Sequence, residues 1–111
     1  MIKLILTILL VISVGYLMGQ KIYVTSNEYQ ADVKVFVVNN KSYADLKVYV
    51  VTYEYQAGNN NGKWFFTRYD YQSDKKIYFV KYEYQSDIKI CFVDNEYQSG
   101  WVNKNKQYIL F

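Results

Sequence analysis

The stretch Tyr82-Glu83-Tyr84-Gln85-Ser86-Asp87-Ile88-Lys89-Ile90-Cys91-Phe92 decides the fold. Its second half is a short apolar run. Its neighbours in the chain fill the same run with Val, Ile, Phe, Tyr and Trp, types that fit a pleated strand and lose χ1 freedom in a helix. Its first half is polar and ends in a small residue followed by Asp. The triplet Ile90-Cys91-Phe92 is preceded by Ile22-Tyr23-Val24, Val35-Phe36-Val37, Val48-Tyr49-Val50, Trp64-Phe65-Phe66 and Ile77-Tyr78-Phe79, at spacings of 13, 13, 16, 13 and 13 residues. A degenerate seventh copy is read at Lys106-Gln107-Tyr108-Ile109, sixteen residues after Ile90. The larger period is 42 residues: Ile22 corresponds to Trp64 and then to Lys106, Asp32 to Asp74, Asp45 to Asp87, and Gly58 to Gly100. Agreement at many independent positions marks a duplicated unit.

The fold expected is all-β: a compact repeat domain of seven short strands, built from two 42-residue triple-strand units and a closing strand. No segment carries the ten or more residues of 3.6 period that a helix needs. The apolar runs barely alternate, as at Val35-Phe36-Val37-Val38, so both faces of the strands are expected to be covered. Asp32, Asp45, Asp74 and Asp87 stand just before a strand, where a carboxylate can accept backbone N–H bonds. Gly58 and Gly100 replace that Asp at the two places where three extra residues enter, and are expected to use positive φ there.

The unit Tyr-Glu-Tyr-Gln-Ala/Ser-Asp-x-Lys-apolar, seen at Tyr82–Ile90, resembles the repeat of the septoil-knot family. So does its break at Ala57-Gly58 and Ser99-Gly100-Trp101. These are small proteins found largely in bacteria, long grouped only as a domain of unknown function. The resemblance covers Ile22–Phe111. It implies that seven segments wind into a deep torus knot with seven crossings, and it brings no biochemical activity. The chain departs from the pattern at Cys91, where neighbours carry Tyr or Phe. It also departs at Lys75, in the place of Val33, Leu46 and Ile88, and at Asn59, in the place of Trp101.

The chain starts with Met1-Ile2-Lys3, an almost wholly apolar run from Leu4 to Met18, and Gly19. A charged start, an apolar core and a small residue at the end describe a secretory signal peptide over 1–19, leaving a domain over 20–111. The rival reading, an uncleaved membrane anchor, asks for about 20 apolar residues. Export to the periplasm or the extracellular space is therefore expected, with no membrane association once the signal is removed.

The chain of 111 residues has 13 Lys+Arg, 10 Asp+Glu, no His, no Pro, one Cys and 14 Tyr. Without His there is no Ser-His-Asp triad and no Cys-His pair, and one Cys excludes an internal disulfide. The net charge of +3 is spread along the chain, whereas nucleic-acid binding asks for a concentrated basic face. The carboxylates recur in every repeat, unlike a catalytic pair, and lack the spacing of a calcium loop. No enzyme activity, cofactor or metal is expected. Cys91 falls in strand register and is expected to be buried as a small hydrophobe.

Tyr29, Tyr55, Tyr71, Tyr84 and Tyr97 share one position and are expected to pack their rings and bond their hydroxyls. Tyr53, Tyr69 and Tyr82 share another, which is Asn in the remaining repeats, and are expected to face solvent as a stripe. With Trp101 they are the candidate surface-binding residues. The expected function is that of a monomeric, non-enzymatic structural or binding module of the cell envelope, with an envelope protein or a polysaccharide as partner. The alternative is an inhibitor or ligand of an extracytoplasmic enzyme, acting through the 58–63 or 100–105 loop.

Overall fold

The computed structural model describes residues 20–111; the signal-peptide reading falls outside them. The seven strands are β1 (Lys21–Val24), β2 (Val33–Val37), β3 (Leu46–Val50), β4 (Lys63–Phe66), β5 (Lys75–Phe79), β6 (Ile88–Phe92) and β7 (Gly100–Trp101). Between them run single 3-10 turns, such as Glu28–Gln30 and Glu83–Gln85. No α-helix occurs among the described residues, and no helix there is long and apolar enough to cross a membrane.

The strands are interleaved. Their order is β4-β1-β5-β2-β6-β3-β7, and a further β3–β4 pairing closes β1 to β6 into a ring. All six pairings of that ring are parallel; the two-residue β7 lies antiparallel on β3. Apart from β3–β4, each strand pairs with those three or four places along the chain. The chain therefore goes round the ring twice, and the second lap fills the spaces left by the first.

The register explains how such short connections suffice. A crossover between parallel strands ordinarily needs a dozen or more residues, because it must run back along the strand. Here each pairing steps the register back two residues. Val24, the end of β1, lies level with Ile77, and Ile77 lies level with Val33, the start of β2. Likewise Val37 is level with Ile90, and Ile90 with Leu46, the start of β3. A connection thus moves sideways past one strand and has no length to recover. The residue after each ring strand joins the ladder: Thr25, Val38, Val51, Thr67, Val80 and Val93 donate N–H bonds to Ile77, Ile90, Trp64, Ile22, Val35 and Val48. A constant step also tilts the strands steeply, as a closed barrel requires.

Ile22, Val35, Val48, Trp64, Ile77 and Ile90 are each 0% exposed. One comes from each ring strand at the same repeat position, so they form one layer across the barrel. Val33, Leu46, Ile88 and Leu110 continue the core toward the strand starts. The opposite face is half-buried and follows a second rule. A Lys on each strand faces an aromatic residue across the ladder: Lys76 Tyr23, Lys34 Tyr78, Lys89 Phe36, Lys63 Tyr49 and Lys21 Phe65. The sixth pair is Lys47 with Cys91. Turns lie against this face, the 83–85 turn on β2 and the 96–98 turn on β3. Both faces are covered, unequally, and the inner one sets the period-two burial hidden in the continuous apolar runs.

The aspartates do accept backbone N–H bonds, from a neighbouring strand rather than their own turn. Oδ2 of Asp32, Asp74, Asp45 and Asp87 accepts from the N–H of Lys76, Lys21, Lys89 and Lys34, each at 2.8 Å. The Asp N–H donates to the carbonyl of the same Lys at 2.7–2.8 Å. These clasps join β1-β5-β2-β6-β3 in unbroken succession.

Three expectations are corrected. Lys106–Ile109 is no strand: Lys104–Leu110 forms a 3-10 helix that plugs the barrel with Leu110, and β7 comes earlier, at Gly100–Trp101. Lys106 and Gln107 stand where Ile22-Tyr23 and Trp64-Phe65 supply strand-forming bulk. Gly58 does not use positive φ. That conformation falls to Asn60 (φ 52°), Gly62 (φ 88°) and Gly100 (φ 140°). Gly62 is needed for close approach as well, since a Cβ there would lie 2.4 Å from the Lys47 carbonyl oxygen at the β3–β4 closure. Third, the five tyrosines expected to pack are exposed: Tyr29 is 95% accessible and Tyr84 83%.

Candidate functional site

The two excursions, 42 residues apart in sequence, meet in space. Asn60 is their hub. Its backbone lies in the left-handed region that Asn tolerates, and its side chain is 2% exposed. Its carbonyl oxygen accepts from the Trp101 indole Nε1 at 2.9 Å and from Gln107 Nε2 at 3.3 Å. Its Oδ1 accepts from the same indole at 3.2 Å, and its Nδ2 donates to the Gln107 carbonyl at 3.0 Å. One buried amide thus ties the first excursion to β7 and to the C-terminal 3-10 helix.

A cavity opens on each side of this junction. The larger, about 420 Å³, is lined by Asn59, Asn61, Lys63, Glu96, Trp101 and Gln107, among others. Lys63 and Glu96 form an ion pair across it at 2.8 Å. The smaller, about 280 Å³, lies between Gln20, Asn59, Asp74, Lys75, Leu110 and Phe111. Gln20 Oε1 is buried and finds no hydrogen-bond partner among the described residues, while Gln20 Nε2 donates to the Leu110 carbonyl. Amide groups, one ion pair and a half-buried indole suit a hydroxylated ligand: amides donate and accept, and an aromatic face covers apolar C–H groups. Among the described residues no group of three or more His, Cys, Asp or Glu side chains could hold a metal ion.

Tyr53, Tyr69 and Tyr82 are exposed, each beside the tyrosine two residues on. Tyr53 and Tyr55 lie with ring centroids 5.8 Å apart and planes 7° apart. Tyr82 and Tyr84 give 5.7 Å and 11°, and Tyr69 and Tyr71 give 5.5 Å and 38°. Lys81 Nζ sits 5.5 Å from the Tyr82 ring centroid. Because the second lap enters between strands of the first, turns of consecutive repeats are not neighbours on the ring. The exchange of Tyr with Asn also has a structural cause. Asn27 and Asn40 cap their turns, Oδ1 accepting the N–H of Tyr29 and Ser42. At Tyr53 and Tyr82, Gln56 and Gln85 instead bond back to the tyrosine N–H, while Tyr69 and Asn95 follow neither pattern.

Sequence reasoning picked out Trp101 and both excursions, but not that they share a cleft. It missed Asn60, whose signal was its place in the run Asn59-Asn60-Asn61-Gly62, because Asn tolerates the left-handed region.

No curated protein and no solved structure matches the chain. The family model of the 7(1) septoil knot domain does match, over residues 19–102, which span every strand from β1 to β7. Seven strands, interleaved over two laps, are the segment count that description calls for, and the chain belongs to the septoil-knot family.

Proposed function

We propose that this protein is an exported, non-enzymatic binding module of the cell envelope, and that its ligand is a polysaccharide held in the cleft beside Trp101. The observation that carries the reading is the meeting of the two excursions. Each is a break in an otherwise regular repeat, and both contribute to one polar cavity with an indole in its wall. Both breaks also serve the fold, at the β3–β4 closure and at β7, and the cavity lies where they meet. The apolar run at 4–18 supports export. The lack of His, and carboxylates engaged in structural clasps, support a role without catalysis.

An inhibitor acting through the 58–63 or 100–105 loop finds less support. Such loops protrude, whereas Asn60 and Gly62 are buried and Gly100–Trp101 lie in the sheet. The test is a titration of the domain with solubilised envelope polysaccharide, followed by indole fluorescence. Trp64, at 0% exposure, supplies a constant background. A saturable change that disappears in Trp101→Phe supports the reading; no response from wild-type protein refutes it.

A further inference from the structure

Three departures from the repeat converge on one spot. In the ion pairs Glu28–Lys34 and Glu83–Lys89, each 3.2 Å, a Glu opens the 3-10 turn and bonds the Lys six residues on. In the second repeat that Glu is Lys41, and the Lys six residues on is Lys47. Lys47 makes no ion pair among the described residues. The tyrosine position of the turn is here filled by Ser42. The residues facing Lys47 across the ladder are Cys91 on β6 and Gly100 on β7, where every other outer Lys faces an aromatic ring. Cys91 Sγ lies 3.8 Å from the Asn39 carbonyl oxygen, which places this turn's connection directly over β6.

The shared geometry of the turns puts Lys41 at the position from which Glu28 and Glu83 reach their lysines. Two ammonium groups that meet there repel, and an anion between them removes the repulsion. In this turn the tyrosine stands one place on, as Tyr43, and Ser42 puts a short hydroxyl donor next to Lys41 in the chain. We infer that Lys41, Lys47 and Ser42 form a binding site for an oxyanion, a phosphate or sulfate group. None of these residues lines the two cavities described above, so the inference does not depend on the polysaccharide reading.

The probe is inorganic phosphate, titrated into isotope-labelled domain at constant ionic strength with chloride as the control. Saturable amide shifts confined to 40–48 and Cys91 are expected. In Lys41→Glu, which restores the repeat's ion pair to Lys47, they should weaken at least tenfold. Shifts spread evenly over the lysines, no saturation, or undiminished binding by Lys41→Glu would each overturn the inference. A lipid headgroup offers the same oxygens: sedimentation with phosphatidylglycerol vesicles, reversed by phosphate, marks that source. Saturable shifts without sedimentation mark a soluble one.

Discussion

Asp74 grips the backbone of Lys21 at two points. Its N–H donates to the Lys21 carbonyl at 2.7 Å, and its Oδ2 accepts the Lys21 N–H at 2.8 Å. The two residues are 53 apart in sequence and belong to different laps. Three further clasps repeat the arrangement around the ring, so a residue conspicuous in the repeat joins one lap to the other.

The four clasps should not be equal. Asp45 is 5% exposed, and its carboxylate also meets Asn103 Nδ2 at 3.3 Å and Lys106 Nζ at 3.5 Å. Asp32 is exposed. Asp45→Ala is expected to cost about 1–3 kcal/mol, the range for leaving buried partners unsatisfied, and Asp32→Ala about 0.5–1.5 kcal/mol. Urea melts of the two variants decide this, and equal losses would remove burial as the cause.

Gly62 should be harder to replace than Gly100. Both have positive φ, but a Cβ at Gly62 strikes the Lys47 carbonyl and the Gly100 nitrogen, whereas a Cβ at Gly100 has nothing within 4 Å. Left-handed backbone costs an L-residue about 1–2 kcal/mol, and Gly62→Ala adds a collision with backbone at the β3–β4 closure. A larger fall in Tm for Gly62→Ala than for Gly100→Ala is expected.

Cys91, 4% exposed and free, should resist a thiol reagent in the native protein and react once the chain is unfolded. Rapid labelling without denaturant would place the thiol at the surface and contradict the seating of the 38–45 connection over β6.

Winding the chain twice has a kinetic consequence. Strands of each lap lie between strands of the other, so neither lap can peel away alone. Unfolding is then expected to be slow, and its operational measure is a rate. Urea curves recorded after minutes and after days should disagree, and coincident curves would count against interlocking.

Much of this fold is legible in the sequence for a local reason. The first six strand runs, the pre-strand Asp and the places of the two excursions depend on residues close together in the chain and appear where expected, whereas the seventh strand and the positive φ of Gly58 do not. The interleaving is not legible, because the partner of Val24 is Ile77, and nothing local in either residue distinguishes that partner from Val35. The same distance hides the site: Trp101 and Asn60 stand out separately, yet their hydrogen bond exists only because the second lap returns to the first. The exposure of the turn tyrosines is hidden for another reason. Tyr29 and Tyr84 recur as regularly as core residues, but their 3-10 turns run outside the ring, and regular recurrence there reflects turn geometry rather than burial.

The central claim is that strands of one lap lie between strands of the other. Cross-strand NOEs in the isotope-labelled domain test it directly. Close backbone contacts are expected from Val24 to Ile77 and from Ile77 to Val33, placing β5 between β1 and β2. Contacts that instead pair β1 directly with β2, and β2 with β3, as in a single-lap coil of consecutive repeats, would contradict the account.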